Sequence, residues 1–296
     1  MKNKGNRCCV FVFILGMPIL GFCQNTGSAN IGGNITVRGR IVEQDAATPL
    51  PYVNIGILNK PVGTVSDSSG HYELSLGKEN LGDSLQISLV GYVTRKILAN
   101  DLMNGSDKTI ALKRGNFVLG EFVVRDKKGE TESVGRTGSG KFIQISIFQK
   151  GSTTLPTGSE MGMKFRNRKK GSLLRNFHYC LSMNNFKRIK FRVNIYSLKN
   201  NMPDTLIYNP GIFTEVKDAK TGWNDVDLSP YHISVDGDFV LTLQWIESEL
   251  GKKEDPKTSL PVSLSVFSKN LYYRIASQDK WGRMGANLSA YVTLLH

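Results

Sequence analysis

The chain has 296 residues, 40% hydrophobic and 21% charged, enough apolar sequence for one large or two ordinary domains and too much for a wholly disordered chain. Thirty glycines and ten prolines follow no triplet period, which excludes a collagen-like helix. The formal net charge is +13 and sits unevenly, because residues 160–199 hold eleven Lys and Arg against one acid, Glu160.

Residues 1–23 have the parts of an export signal. Lys2, Lys4 and Arg7 precede an apolar stretch from Cys8 to Leu20, and Gly21 and Cys23 put small residues before Gln24. The expected location is therefore the periplasm or the outer-membrane surface. Lipidation at Cys23 is the second reading, since Leu20-Gly21-Phe22-Cys23 resembles a lipobox, but with a bulky Phe22 where a small residue is wanted. After the signal no apolar run reaches the roughly 20 residues of a membrane helix. Cys180 is then the lone thiol, so no intramolecular disulfide is expected.

Residues 24–34 are small and polar and predict a mobile segment. From Ile35 the pattern is short strands between turns. Ile35, Val37, Gly39 and Ile41 alternate with Thr36, Arg38, Arg40 and Val42, a period of two. Further strands are expected over 52–58, 62–66, 71–76, 84–90, 92–98, 109–112 and 117–124. Asp67-Ser68-Ser69-Gly70 has the chemistry of a turn. Strands this short and evenly spaced predict an antiparallel sandwich over 35–124.

Residues 125–141 are charged and then glycine-rich, and predict a linker. Strands resume over 142–296. In Arg188-Ile189-Lys190-Phe191-Arg192-Val193 cations alternate with apolar groups, so one face is expected to be buried and the other to be a row of positive charge. Phe239 to Ile246 is almost wholly apolar and predicts a central strand. This half is expected to be a jelly-roll-like β-sandwich, making the whole chain all-β.

Four spaced motifs occur in order in the first half. They are Val37-Arg38-Gly39-Arg40-Ile41-Val42, Pro49-Leu50-Pro51-Tyr52-Val53-Asn54-Ile55, Gly63 to Tyr72 through Asp67-Ser68-Ser69-Gly70, and Asp83-Ser84-Leu85-Gln86-Ile87-Ser88 followed by Gly91-Tyr92. This order resembles the carboxypeptidase-regulatory-like domain of exported Bacteroidetes proteins. The resemblance implies a transthyretin-like β-sandwich over 35–124 and no peptidase chemistry of its own. Leu119 to Val124 also resembles the segment that follows this domain in TonB-dependent receptors. The 172 residues beyond Val124 cannot supply a plug and a barrel, so a full receptor is not expected. The second half resembles an uncharacterised sandwich that accompanies this domain in surface proteins, which implies no known activity.

No His-Glu-x-x-His pair and no Gly-x-Ser-x-Gly elbow occurs, so no metal, cofactor or catalytic residue is expected. The acid pairs Asp225/Asp227 and Asp236/Asp238 fit strand borders and turns better than a calcium site. The strongest candidates are cations: Lys164, Arg166, Arg168, Lys169, Lys170, Arg188, Lys190 and Arg192, an expected site for anionic glycan or lipopolysaccharide. Export disfavours nucleic acid as a partner. Trp281, in a loop-like context, is a candidate for stacking on a sugar ring. The sequence thus predicts a non-catalytic cell-envelope binding or adhesion protein. The alternatives are an accessory subunit that meets an envelope protein and, further off, a carbohydrate-active enzyme.

Overall fold

The computed structural model describes residues 12–14, 34–104, 108–115, 129–139, 143–146, 157–251, 258–264 and 269–296. The expected export signal, apart from residues 12–14, falls outside these residues. So do the segment 24–34 expected to be mobile, apart from Asn34, and the expected strand over 117–124 with its receptor-like Leu119 to Val124.

The N-terminal unit is two small sheets face to face. One has the order β5-β2-β8, formed by β2 (Ile35–Glu43), β5 (His71–Leu76) and β8 (Thr109–Leu112). The other has the order β4-β3-β6-β7, formed by β3 (Asn54–Ile57), β4 (Gly63–Val65), β6 (Ser84–Ser88) and β7 (Arg95–Leu98). The period of two places Val37 and Ile41 inside and leaves Arg38 and Arg40 exposed. Tyr72, Leu74 and Leu76 do the same on β5. With Ile55, Leu85, Ile87 and Ile110 they form one core. The pairing of β2 with β8 is parallel. A short helix, α1 (Asp101–Asn104), lies between β7 and β8. The expected turn at Asp67 is present. Its Oδ1 accepts from the amides of Ser69 (2.8 Å) and His71 (2.9 Å), and Gly70 takes φ +79°, which a side chain would strain.

The C-terminal unit is larger. A six-stranded sheet runs β15-β14-β18-β11-β20-β21. Its strands are β11 (Glu160–Phe165), β14 (Phe186–Lys199), β15 (Met202–Lys217), β18 (Phe239–Leu250), β20 (Leu271–Arg274) and β21 (Gly282–Met284). The facing sheet runs β16-β12-β23-β9, with β17 (Ser234–Val235) on the end of β12. It holds β9 (Thr131–Gly135), β12 (Ser172–Leu181), β16 (Gly222–Asp227) and β23 (Ala290–Leu295). A third sheet joins β1 (Val12–Ile14), β10 (Ile143–Ile145), β13 (Met183–Asn184), β19 (Thr258–Leu264) and β22 (Ala286–Leu288). Phe165, Phe177, Tyr179, Phe191, Trp245, Val292 and Leu294 fill the space between the two large sheets. Phe191 meets Trp245 edge to face at 5.4 Å. Burial pushes the Tyr179 hydroxyl up to about 12. As the apolar run predicted, β18 is central, paired with β11 on one side and β14 on the other.

The chain is therefore an all-β, two-sandwich protein. The stretch read as a linker departs from expectation in one part. Residues 131–135 pair with β23 as the edge strand β9. Gly135 (φ +125°) lies so close to the backbone of Ala290 and Tyr291 that a Cβ would collide with it. The glycine that signals a loop in the sequence serves a close strand approach in the fold. Among the described residues no helix is long and apolar enough to cross a membrane.

Candidate functional site

The eight candidate cations separate into two groups. Arg188, Lys190 and Arg192 alternate on β14, but their row is not a solvent-facing strip. The N-terminal unit and its neighbours cover it. Arg188 pairs with Glu215 (3.2 Å) and Glu247 (3.3 Å); the Glu215 hydrogen bond, partly opposed by burial and aided by Glu247, raises its pKa further. Lys190 Nζ donates to the Tyr52 hydroxyl at 2.7 Å and lies 4.5 Å from that ring's centroid and 5.1 Å from Phe213's. Arg192 is only 8% exposed. It donates to the Tyr52 carbonyl and to Gln244 Oε1 (3.3 Å), and burial pushes its pKa down to about 10. Its Nε is buried without a hydrogen-bond partner. Arg192 thus faces a second domain where a ligand was expected, because cations on an outward sheet face are open to solvent only until another unit packs there.

The other group is in and beside the turn from β11 to β12. Lys164, at the end of β11, pairs with Asp238 at 3.3 Å. Arg166, Arg168, Lys169 and Lys170 are exposed. Among the described residues they take part in no ion pair. Their backbone is held from below. Asn167, 6% exposed, donates to the Val235 carbonyl (2.9 Å) and accepts from the Lys169 amide (3.1 Å) and from Ser172 Oγ (3.1 Å). Asp238 accepts from the Asn167 amide (3.2 Å) and Asp236 from the Gly171 amide (2.8 Å). The acid pair Asp236/Asp238, read from the sequence as part of a turn, thus fastens the basic turn through its amides. Four cations are presented on a backbone that is already ordered, so a ligand meets charge without paying to organise the loop.

Trp281 is partly exposed and packs beside the buried polar cluster. Arg274 lies over it at 4.8 Å and Tyr196 meets it edge-on at 5.4 Å.

Sequence reasoning missed the buried polar cluster beside Arg192. Glu160 is fully buried and accepts from Asn194 Nδ2 (2.8 Å), Arg274 Nε (2.8 Å) and Thr242 Oγ1. Burial works against charge on Arg274, but Glu160 outweighs it and the pKa is raised. Burial and the adjacent Glu160 hold the Tyr196 hydroxyl far above the ordinary tyrosine value. From this cluster hydrogen bonds cross to the N-terminal unit. Gln244 Nε2 donates to Asn54 Oδ1 (2.9 Å), Ser277 Oγ to the same oxygen (3.1 Å) and Gln278 Nε2 to Ser88 Oγ (2.8 Å). The Asn59 amide donates to the Gln278 carbonyl at 2.9 Å and the Ser68 amide to Glu247 at 2.9 Å. The one available signal was Glu160 itself, a lone acid in a basic block.

A family model described as the CarboxypepD_reg-like domain matches residues 37–124. No curated protein matches the chain. Among solved structures, the cysteine protease and lectin-like domains of Cwp84, a surface layer associated protein of Clostridium difficile, align at TM-score 0.41 and 9% identity, over 92% of this chain and 65% of that one. The chain therefore spans just under two thirds of that structure. The Gt strain of infectious bursal disease virus aligns at TM-score 0.28 and 8% identity, over 99% of this chain and 77% of that one. Scores this low carry no functional inference. Two facing sheets, a shared core and four ordered motifs agree with the family match, and residues 37–124 are a CarboxypepD_reg-like domain.

Proposed function

We propose that this is a non-catalytic binding protein of the cell envelope that takes an anionic glycan or lipopolysaccharide at the turn carrying Arg166, Arg168, Lys169 and Lys170. The observation that supports the reading is the fixed turn itself: four exposed cations on a backbone tied by Asn167, Asp236 and Asp238. Guanidinium groups suit the planar anions of phosphates and carboxylates. The reading narrows the expected site, since Arg188, Lys190 and Arg192 serve the junction between the two sandwiches. The export signal expected over residues 1–23 supports an envelope location, where such anions are abundant.

The test is binding of the full chain to lipopolysaccharide and to acidic polysaccharides at low and high salt. The variant Arg166→Glu, Arg168→Glu, Lys170→Glu is expected to weaken binding at least about tenfold. Binding that the variant leaves unchanged would contradict the assignment.

A further inference from the structure

Ser172 and His296 stand beneath the basic turn. The register that pairs Leu173 with Leu295 sets the start of β12 beside the residue that follows β23. Ser172 is fully buried, and the His296 side chain is 8% exposed. Ser172 Oγ lies 2.9 Å from His296 Nδ1, 3.1 Å from Asn167 Oδ1 and 3.0 Å from the Lys169 carbonyl. On the other side of the ring, Nε2 lies 2.8 Å from Glu132 Oε2 on β9. A continuous chain of hydrogen bonds thus runs from Glu132 through His296 and Ser172 into the turn that carries the four cations.

The place of one hydrogen in this chain depends on the ring. A serine hydroxyl has a single hydrogen, and Ser172 Oγ has three partners. Two of them, Asn167 Oδ1 and the Lys169 carbonyl, only accept. The third, Nδ1, accepts when bare and donates when protonated. A carboxylate only accepts, so Glu132 keeps a hydrogen on Nε2 in either state. In the neutral ring Nδ1 is therefore bare and draws the Ser172 hydrogen to itself, away from the turn. In the imidazolium Nδ1–H donates to Ser172 Oγ, and the hydroxyl hydrogen passes to Asn167 Oδ1 or the Lys169 carbonyl. A proton on His296 thus adds one tie to the turn and one positive charge beneath it. The charged groups on the surrounding elements are Glu130 and Glu132 at the start of β9, Lys169 and Lys170 of the turn, and Asp236 after β17. Histidine is the side chain among these types that changes charge between pH 5 and 8.

We propose that His296 is a proton switch for the basic turn: its protonation hands the Ser172 hydroxyl to the turn and strengthens anion binding, and its deprotonation takes the hydroxyl away. The regulation rests on the reading of the turn as the anion site; the coupling between ring and turn stands apart from it. The direction follows from the geometry, since a turn with one more tie is better ordered before the ligand arrives. A field effect of the imidazolium alone would need no hydroxyl, so Ser172 separates the relay from simple charge.

Nitrogen–proton NMR of the full chain between pH 5 and 8, without ligand, tests the coupling. The Lys169 and Gly171 amides are expected to shift with the same midpoint as the His296 ring. The shift should vanish in His296→Gln, shrink to a small remnant in Ser172→Ala, and persist in His178→Gln, farther along β12. Should Ser172→Ala melt early, Glu132→Gln decides, because Glu132 is 56% exposed and its loss leaves the core untouched. Without the carboxylate the imidazolium loses its counter-ion, so both midpoints should move together to lower pH. Dextran sulfate, whose sulfate esters keep their charge over this range, reads the regulation. Its affinity is expected to be about threefold higher at pH 5 than at pH 8 in the parent, and equal at the two in His296→Gln. Turn amides that do not move with the ring, a ring that holds one charge state throughout, or a shift that persists in His296→Gln would overturn the switch. Dextran sulfate binding that is indifferent to pH would overturn it as well. Amides that titrate in a chain that binds no dextran sulfate at either pH would instead refute the anion site and support the coupling alone.

Discussion

Glu160 gathers Asn194, Thr242, Arg274 and Tyr196 around one buried carboxylate. Removing its charge leaves Arg274 and Arg192 buried without their counter-ion. Glu160→Gln is expected to destabilise the protein by about 3 kcal/mol, read from the denaturant midpoint. Lys60 gives a smaller and pH-dependent contribution. Its hydrogen bond to Asp83 lowers that carboxyl's pKa, against a partial opposing effect of burial. A lowered folded pKa stabilises above the unfolded value and is lost as pH falls through the folded one. Asp83→Asn should therefore cost up to about 1 kcal/mol at neutral pH and progressively less below about pH 4. Urea titrations of both proteins at a series of pH values check it; a gap that widened in acid would be inconsistent with the pair.

At the scale of elements, the hairpin of β3 and β4 meets the loop after β20 through bare backbone. Gly56 and Gly63 are cross-strand partners, and a Cβ on either would collide with the carbonyl oxygen of Ser277. Gly63→Ala is expected to push the two units apart. Hydrogen exchange at residues 277–279 should then rise while exchange within β2 and β5 stays as it was. Exchange unchanged at 277–279 would show that the contact yields without separation. The strands themselves were legible because a buried face imposes a period of two, as in His71 to Leu76. Strand β9 was not, because Thr131 to Gly135 lies at an edge, where a single pairing partner and not a buried face decides the conformation. The candidate site was legible only in part. Charge alternation marked the outward side of β14 correctly, but nothing local in Arg188 to Val193 says that Tyr52, far away in sequence, lies across it. The exposed turn was visible as a run of cations. The amide contacts to Asp236 and Asp238 that order it join residues about seventy positions apart, beyond the reach of any local pattern.

Across the whole molecule the two sandwiches share a junction built of buried polar groups. Such groups lose their partners if either unit opens, and their desolvation then has no compensation. Thermal unfolding is therefore expected as one transition, with calorimetric and van't Hoff enthalpies equal. Two resolved transitions would show that the units fold independently. Of the eight candidate cations the docking leaves those of the turn open to a ligand, since Arg188, Lys190 and Arg192 are paired or covered. Two charge reversals thus have different expected consequences. Reversal at Arg166, Arg168 and Lys170 should change binding and leave the melting temperature nearly as it was. Reversal at Arg192 should lower the melting temperature, because it sets a buried carboxylate against the Tyr52 carbonyl. The most direct measurement is the affinity of these two variants and the parent chain for lipopolysaccharide, titrated over a range of salt concentrations. A steep salt dependence is expected in the parent, lost with the turn cations and retained by the Arg192 variant at temperatures where it is folded. A parent affinity indifferent to salt, or a turn variant that binds as the parent does, would contradict it.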